Sequence, residues 1–181
     1  MNNFAKGSIE FLTVAVEFCK FIENPQIDKS DFLNKLSKLL PLLYMKAAMV
    51  EPKEAIYDEA PEKFVDENDY EAVRGDIQNL LGEKDQYLTA IHPDIALSDS
   101  VIAASISEDI ADVYQSLKDF VEVAKTGNED LMNDALIICI EDFRAFWGTR
   151  LLSAELAIHQ VIVNGFDEED EPEIKNNPLL I

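Results

Sequence analysis

The spacing of apolar residues restricts this chain to α-helices. In the first apolar stretch, predicted as a helix from about Phe4 to Glu23, four polar residues fall within one sector of roughly 80° when each residue advances by about 100°. They are Glu10, Thr13, Glu17 and Lys20. No segment alternates convincingly between apolar and polar residues, as a half-buried strand would. We therefore predict an all-α protein.

Capping signals predict the bounds of the next helices. The first helix should end in the sequence ENPQ, and a second should begin at Ser30, because serine caps helix N-termini well. Pro41 lies inside this second helix and lacks a backbone N–H, so we expect a kink or a break there. The stretch NDYEAVRGDIQNLLG predicts a short third helix capped by Gly82.

Two longer helices are predicted in the second half of the chain. Ser105 and the glutamate three residues later have the spacing of a capping box at the start of the fourth helix, and Gly127 closes its far end. The last helix should begin after Asn128 and extend to about residue 163, either unbroken or bent at Gly148. Before the fourth helix, the sequence EKDQYLTAIHPD is predicted as an irregular connector.

These elements predict a single domain over residues 1–165, a bundle of about four to six helices. The segment EPKEAIYDEAPEKFVDENDYE is rich in acidic residues and is predicted as a solvated linker or irregular loop within the bundle. Residues 166–181 are predicted as an acidic, flexible tail.

The charge of the chain narrows the classes of partner. The chain has 15 Lys and Arg residues against 36 Asp and Glu residues, a formal net charge of −21. Nucleic acids are bound by basic side chains that displace phosphate counterions, so we expect no nucleic-acid partner, and anionic membrane surfaces are disfavoured for the same reason. No uncharged apolar run is long enough to predict a membrane span. A protein with a basic surface is the partner that the charge favours.

The cysteines and the N-terminal sequence indicate in which cellular compartment the protein resides. Cys19 and Cys139 both lie among large apolar residues, which is typical of small buried side chains in a reducing environment. The first apolar run has neither the basic lead-in nor the cleavage site of a signal peptide. We therefore expect a cytoplasmic protein.

Several stretches together resemble a bacterial family of helical proteins classed as a domain of unknown function. They are LLPLLYMKAA, LGEKDQYLTAIHPD, SISEDIADVYQSL and FRAFWGTRLLSAELAIHQ, in this order. The resemblance extends over about residues 5 to 163 and implies a helical fold in a bacterial, cytoplasmic protein. It implies no activity.

The last of these stretches contains the candidate binding residues. It combines two of the three arginines in the chain with the only tryptophan, followed by a glutamate and a histidine four positions apart. The candidates are Arg144, Trp147, Arg150, Glu155 and His159. On a helical wheel Arg150 lies near the middle of the apolar stripe, where an unpaired guanidinium would be costly, so we expect it to meet Asp109 of the fourth helix. Pairing with an anionic ligand or with a partner's carboxylate is the alternative.

The sequence SEDIADVYQSL is similar to the second acidic motif of the all-α nucleotide pyrophosphatases. In that motif carboxylates three residues apart on a helix hold Mg²⁺, and the matching positions here are Asp109 and Asp112, with Glu108 beside them. The preceding helix lacks the two glutamates, three residues apart, that form the first half of the motif. We therefore interpret the three carboxylates as part of a solvated face, with a metal site as the alternative.

The sequence contains no Gly-rich phosphate loop, no Cys-His zinc pattern and no nucleophile elbow. We predict a non-enzymatic protein-interaction module that needs no cofactor. A Mg²⁺-dependent nucleotide hydrolase is one alternative, and a helical bundle that binds an anionic small ligand through Arg144 or Arg150 is another.

Overall fold

A computed structural model describes residues 6–91 and 100–165. These residues form six α-helices and two short strands, and a 3-10 turn, Gly82–Asp85, links α3 to β1. The elements are α1 (Lys6–Glu23), α2 (Lys29–Ala48), α3 (Glu67–Leu81), β1 (Gln86–Thr89), β2 (Ile102–Ser105), α4 (Ile106–Ala124), α5 (Glu129–Asp142) and α6 (Gly148–Asn164). The all-α prediction is confirmed. The expected start of α1 at Phe4 and the acidic tail of residues 166–181 lie outside the described residues.

The two strands were not expected. Gln86–Thr89 pairs with Ile102–Ser105 as an antiparallel ribbon, in which Gln86 faces Ser105 and Thr89 faces Ile102. The prediction of an irregular connector is therefore wrong for Gln86–Thr89, which form a strand. Each strand is only four residues long, so neither has enough residues to show a clear alternating pattern.

Side-chain caps explain most of the helix boundaries. The predicted cap of α2 at Ser30 is wrong, because the Asp28 carboxylate accepts the Asp31 N–H at 2.9 Å and starts the helix earlier. Ser105 caps α4 as predicted, and Gly82 ends α3 with a positive φ of 57°. The helix does not break at Pro41, which lies inside α2 on its exposed side.

Helix α4 is central to the bundle and packs against α1, α3, α5 and α6. The aromatic rings of Phe11 in α1 and Phe120 in α4 stack with centroids 5.7 Å apart. In the part of the chain that the structure describes, no helix combines the length and apolar character needed to cross a bilayer.

The last two helices form one helical run with a π turn, Phe143–Trp147, between them. Gly148 follows this turn, and a Cβ atom at its position would lie 2.5 Å from the carbonyl oxygen of Phe143. The Phe143 ring also contacts Tyr44 of α2, with centroids 5.1 Å apart. The glycine is therefore required by close packing inside its own helical run, which continues through this position.

Candidate functional site

Arg150 lies between two carboxylates of α4. Its Nη1 is 3.3 Å from Oδ1 of Asp109, and its Nε is 3.2 Å from Oδ2 of Asp112. Its guanidinium carbon also lies 5.3 Å from the centroid of the Phe146 ring. The expected contact with Asp109 is present, and Asp112, which we had expected on a solvated face, is a second partner.

Two tyrosines complete this arrangement, which we call the arginine network. The Tyr87 hydroxyl in β1 donates to Oδ2 of Asp109, and the Tyr70 hydroxyl in α3 donates to Oδ1 of Asp112 at 3.0 Å. The network is therefore formed by side chains from α3, β1, α4 and α6. All four carboxylate oxygens have partners, as a buried polar network requires.

Burial controls the ionisation of the network. It raises the pKa of Asp109 from 3.8 to about 6, although Tyr87 and Arg150 both oppose this change. Burial likewise raises the pKa of Asp112, against the effects of Tyr70 and Arg150. Desolvation, followed by the neighbouring carboxylates, raises the pKa of both tyrosines, so their hydroxyls stay neutral and donate hydrogen bonds.

The interpretation of these carboxylates as a solvated face is wrong for two of them. Asp109 is 1% exposed, and the side chain of Asp112 is 13% exposed, whereas Glu108 is exposed. The wheel of α4 alone could not show this, because the covering groups come from α3, β1 and α6.

The arrangement is unsuited to Mg²⁺, which requires several oxygen ligands. The oxygens of Asp109 and Asp112 already accept from Arg150 and the two tyrosines. Across residues 6–91 and 100–165, no group of three or more His, Cys, Asp or Glu side chains is placed to hold a metal ion.

The five predicted binding residues do not form one site. Trp147 is fully buried, and its indole N–H donates to the carbonyl oxygen of Cys139 at 2.9 Å. Arg150 is held in the network, whereas Arg144 and His159 are exposed. Arg144 and His159 are about 22 Å apart along the helix at 1.5 Å per residue.

Glu155 is intermediate in burial between Trp147 and the two exposed residues. It is half-buried, and among the described residues its Oε2 is buried without a hydrogen-bond partner. Burial raises the pKa of Glu155, and the nearby His159 lowers it. Of the five predicted binding residues, only Arg144 and His159 are therefore fully accessible to a macromolecular partner.

A different surface is built around the acidic segment of residues 51–65, which we call the acidic strap. It has almost no regular secondary structure, as predicted, but two carboxylates hold it on the bundle. Asp134 of α5 accepts the N–H groups of Ile56 at 2.9 Å and Tyr57 at 2.7 Å. Asp119 of α4 accepts those of Phe64 at 2.7 Å and Val65 at 2.9 Å. The strap is therefore attached near both of its ends.

Further contacts strengthen the attachment at α5. The Asn133 side chain donates to the carbonyl oxygen of Glu54 at 3.0 Å and to Asp134 at 3.1 Å. Burial opposes ionisation of Asp134, but the N–H groups of the strap and Asn133 outweigh it and lower its pKa. Sequence reasoning missed both anchors. The available signal was the polar pair Asn133–Asp134 beside an otherwise apolar helical run, at positions that turn out to be buried.

Two grooves lie where the strap meets the helices. The first has a volume of about 380 Å³ and lies against α5 near the beginning of the strap, with Glu51, Glu54, Glu129 and Asp130 in its lining. The second has a volume of about 280 Å³ and lies between residues 60–63 of the strap, helix α4, and the helical run formed by α5 and the π turn. We call the second one the strap groove. Its lining includes three carboxylates, Glu62, Asp119 and Asp142.

Comparison with known proteins identifies relatives of the same fold. Protein BF1032 from Bacteroides fragilis, a structural genomics target, is 41% identical in sequence to this chain, and its crystal structure matches the fold with a TM-score of 0.79. The similarity covers 91% of this chain and 97% of that one. A search of curated proteins finds no significant match. The family model DUF5063, described as a domain of unknown function, matches residues 2–164, and the chain therefore belongs to this family.

Proposed function

We propose that this protein is a non-enzymatic module that binds a protein with a basic surface, through the acidic strap and the adjoining face of α5. The observation that carries the proposal is the attachment of the strap by Asp119 and Asp134. An acidic loop that is held in place presents its side chains in a defined arrangement, so less conformational entropy is lost when a partner binds.

The charge around the grooves supports a basic partner. Among the described residues, seven carboxylates and two lysines line the two grooves, and the whole chain carries a formal net charge of −21. Complementary charge directs encounter and selects among partners.

Exposed apolar side chains support a protein as the partner. Ile56, Tyr57 and Phe64 are 53%, 45% and 42% exposed, although their backbone N–H groups are bound to the two anchoring carboxylates. Large apolar and aromatic side chains at fixed surface positions are typical of protein interfaces. A simple solubilising loop would not require them.

The arginine network supports binding over catalysis in this chain. Its carboxylates and its guanidinium bind each other and the two tyrosines, so the network offers neither open carboxylates for the Mg²⁺ of a nucleotide hydrolase nor a free Arg150 for an anionic ligand. The network instead joins four elements of the bundle.

The test compares two double charge reversals that change the net charge equally. Glu54→Lys with Glu62→Lys alters the strap, and Asp76→Lys with Glu83→Lys alters exposed positions outside both grooves. Affinity for a fluorescent lysine-rich helical peptide of about 20 residues is measured by anisotropy at about 150 mM salt, where long-range attraction is screened. We expect at least a tenfold loss for the strap variant and at most about a threefold loss for the other.

Equal losses in both variants would show that only the overall charge matters and would refute the proposal. A second arm measures thermal unfolding with Mg²⁺ and nucleoside triphosphates. A metal-dependent rise in Tm of several degrees that disappears in Asp112→Asn would favour the hydrolase instead.

A further inference from the structure

The proposed function can be narrowed to a class of ligand for the strap groove. Resting on that function, we infer that this groove binds a short peptide segment in which one large aliphatic side chain is flanked by lysines or arginines. The inference follows from the order of side chains along one edge of the groove, from its apolar floor and from its size.

One edge of the groove alternates in character along the helical run of α5. Ile138 and Phe146 are 38% and 42% exposed, and both line the groove. Asp142 lies midway between them, four residues from each, and is also exposed. Residues four apart share one face of a helix, so the edge presents an apolar, an acidic and again an apolar group. The π turn changes the spacing near Phe146, but the lining includes all three side chains.

The floor of the groove is apolar and unreactive. It includes the buried side chains Phe120, Val123, Ala135 and Cys139. Burial raises the pKa of the Cys139 thiol well above its usual value, so this cysteine stays neutral and behaves as a small apolar group. An aliphatic side chain that enters the groove between this edge and the strap, above the apolar floor, would therefore be desolvated on several sides.

The rim supplies the charge that a basic segment needs. Glu62 on the strap and Asp142 on α5 are exposed, and within the described residues their carboxylates form no ion pair or hydrogen bond. Asp119, the third carboxylate, anchors Phe64 and Val65. Lys63 is the one basic side chain among the described residues of the lining, which together carry a net negative charge.

The size of the groove favours an anchoring side chain over a whole small molecule. Its volume of about 280 Å³ lies just below the range of roughly 300–1,000 Å³ typical of small-molecule sites. The Phe146 ring, which forms one wall, also contacts the Arg150 guanidinium, and this contact holds the wall in place.

The test uses three fluorescent peptides of about 12 residues. The first has one leucine with two lysines on each side in a Ser/Gly background, the second has serine in place of leucine, and the third has glutamine in place of the lysines. We expect the first to bind the unmodified protein and each of the others to bind at least about tenfold more weakly. The second peptide loses the buried carbons of leucine, and the third loses the lysines that pair with the rim carboxylates.

Matched variants locate the binding. Ile138→Ser alters the apolar edge, and Leu152→Ser removes an equally large, 49% exposed side chain that does not line the groove. Asp142→Asn with Glu62→Gln alters the rim, and Asp76→Asn with Glu83→Gln is its charge-matched control. We expect about a tenfold loss of affinity for each groove variant and less than a twofold change for each control.

The outcomes separate this inference from the proposed function. If the strap charge reversals weaken binding but the leucine-to-serine peptide and Ile138→Ser do not, the ligand class is wrong and the basic-partner function stands. If no basic peptide depends on the strap, both are wrong. The peptide substitution is measured on the unmodified protein, so it decides the question even if Ile138→Ser fails to fold.

Discussion

The buried carboxylate of Asp109 provides a direct test of which force dominates the arginine network. Burial disfavours its ionised form, whereas Arg150 and Tyr87 favour it. We predict that burial has the larger effect and that the pKa of Asp109 is therefore raised in the folded protein. Asp109→Asn tests this, because asparagine cannot ionise but keeps an oxygen that can accept from the Tyr87 hydroxyl.

The structure sets the size of the effect. The pKa of Asp109 is about 6 in the folded protein, against an ordinary value of 3.8. The folded protein thus binds this proton more tightly than the unfolded chain, and the resulting stabilisation is fully present below about pH 4 and lost as the pH rises through about 6. At about 1.4 kcal/mol for each pH unit between the two values, the loss is roughly 3 kcal/mol.

The assay is urea-induced unfolding of the wild type and Asp109→Asn between about pH 4 and 7.5. The free energy of unfolding of the wild type minus that of the variant should fall by roughly 3 kcal/mol across this range, because other titrating groups largely cancel in the difference. A flat difference would show that Arg150 and Tyr87 cancel the effect of burial, and one that rises with pH would show that they outweigh it; either result would refute the reasoning.

Tyr87→Phe is the accompanying control. It removes a hydrogen bond that lowers the pKa of Asp109, so the decline in stability should extend to higher pH. An unchanged pH dependence would mean that Tyr87 does not act on this carboxylate.

Two further predictions concern the π turn and the strap. Gly148→Ala should destabilise the protein by about 1–3 kcal/mol in chemical denaturation, because its Cβ would lie 2.5 Å from the carbonyl oxygen of Phe143. Gly75→Ala, with nothing within 4 Å, should instead stabilise the protein slightly, and equal effects would contradict the packing argument. Asp134→Ala should cost about 2 kcal/mol and increase amide hydrogen exchange at residues 56 and 57 while residues 64 and 65 stay protected. Uniform exchange along the strap would show that it is not anchored separately at its two ends.

The local parts of the fold were predictable because they depend on near neighbours in the sequence. Helical periodicity, the Ser105 cap and the Gly82 terminus each involve residues within a few positions, and all three predictions are confirmed. The cap of α2 was misplaced because Asp28 and Ser30 are both good caps, and only the backbone conformation distinguishes them.

Pro41 shows the limit of a local rule. Proline normally disrupts a helix because it lacks an N–H and clashes with the preceding turn. Helix α2 nevertheless continues through it, with Leu36, Leu40 and Leu43 fully buried around it. Burial of that face against the bundle outweighs the local cost, and a helix considered alone cannot show this.

The sequence by itself determined the helical class, most helix boundaries, the excess of acidic residues and the need of Arg150 for a partner. Those properties follow from composition and from short-range spacing. Only the tertiary structure decided that Asp112 also pairs with Arg150 and that two tyrosines donate to the paired carboxylates. It also decided that Asp119 and Asp134 anchor the strap and that a groove lies beside Asp142. Each depends on side chains from elements far apart in the chain, and their meeting is set by how the helices pack around α4.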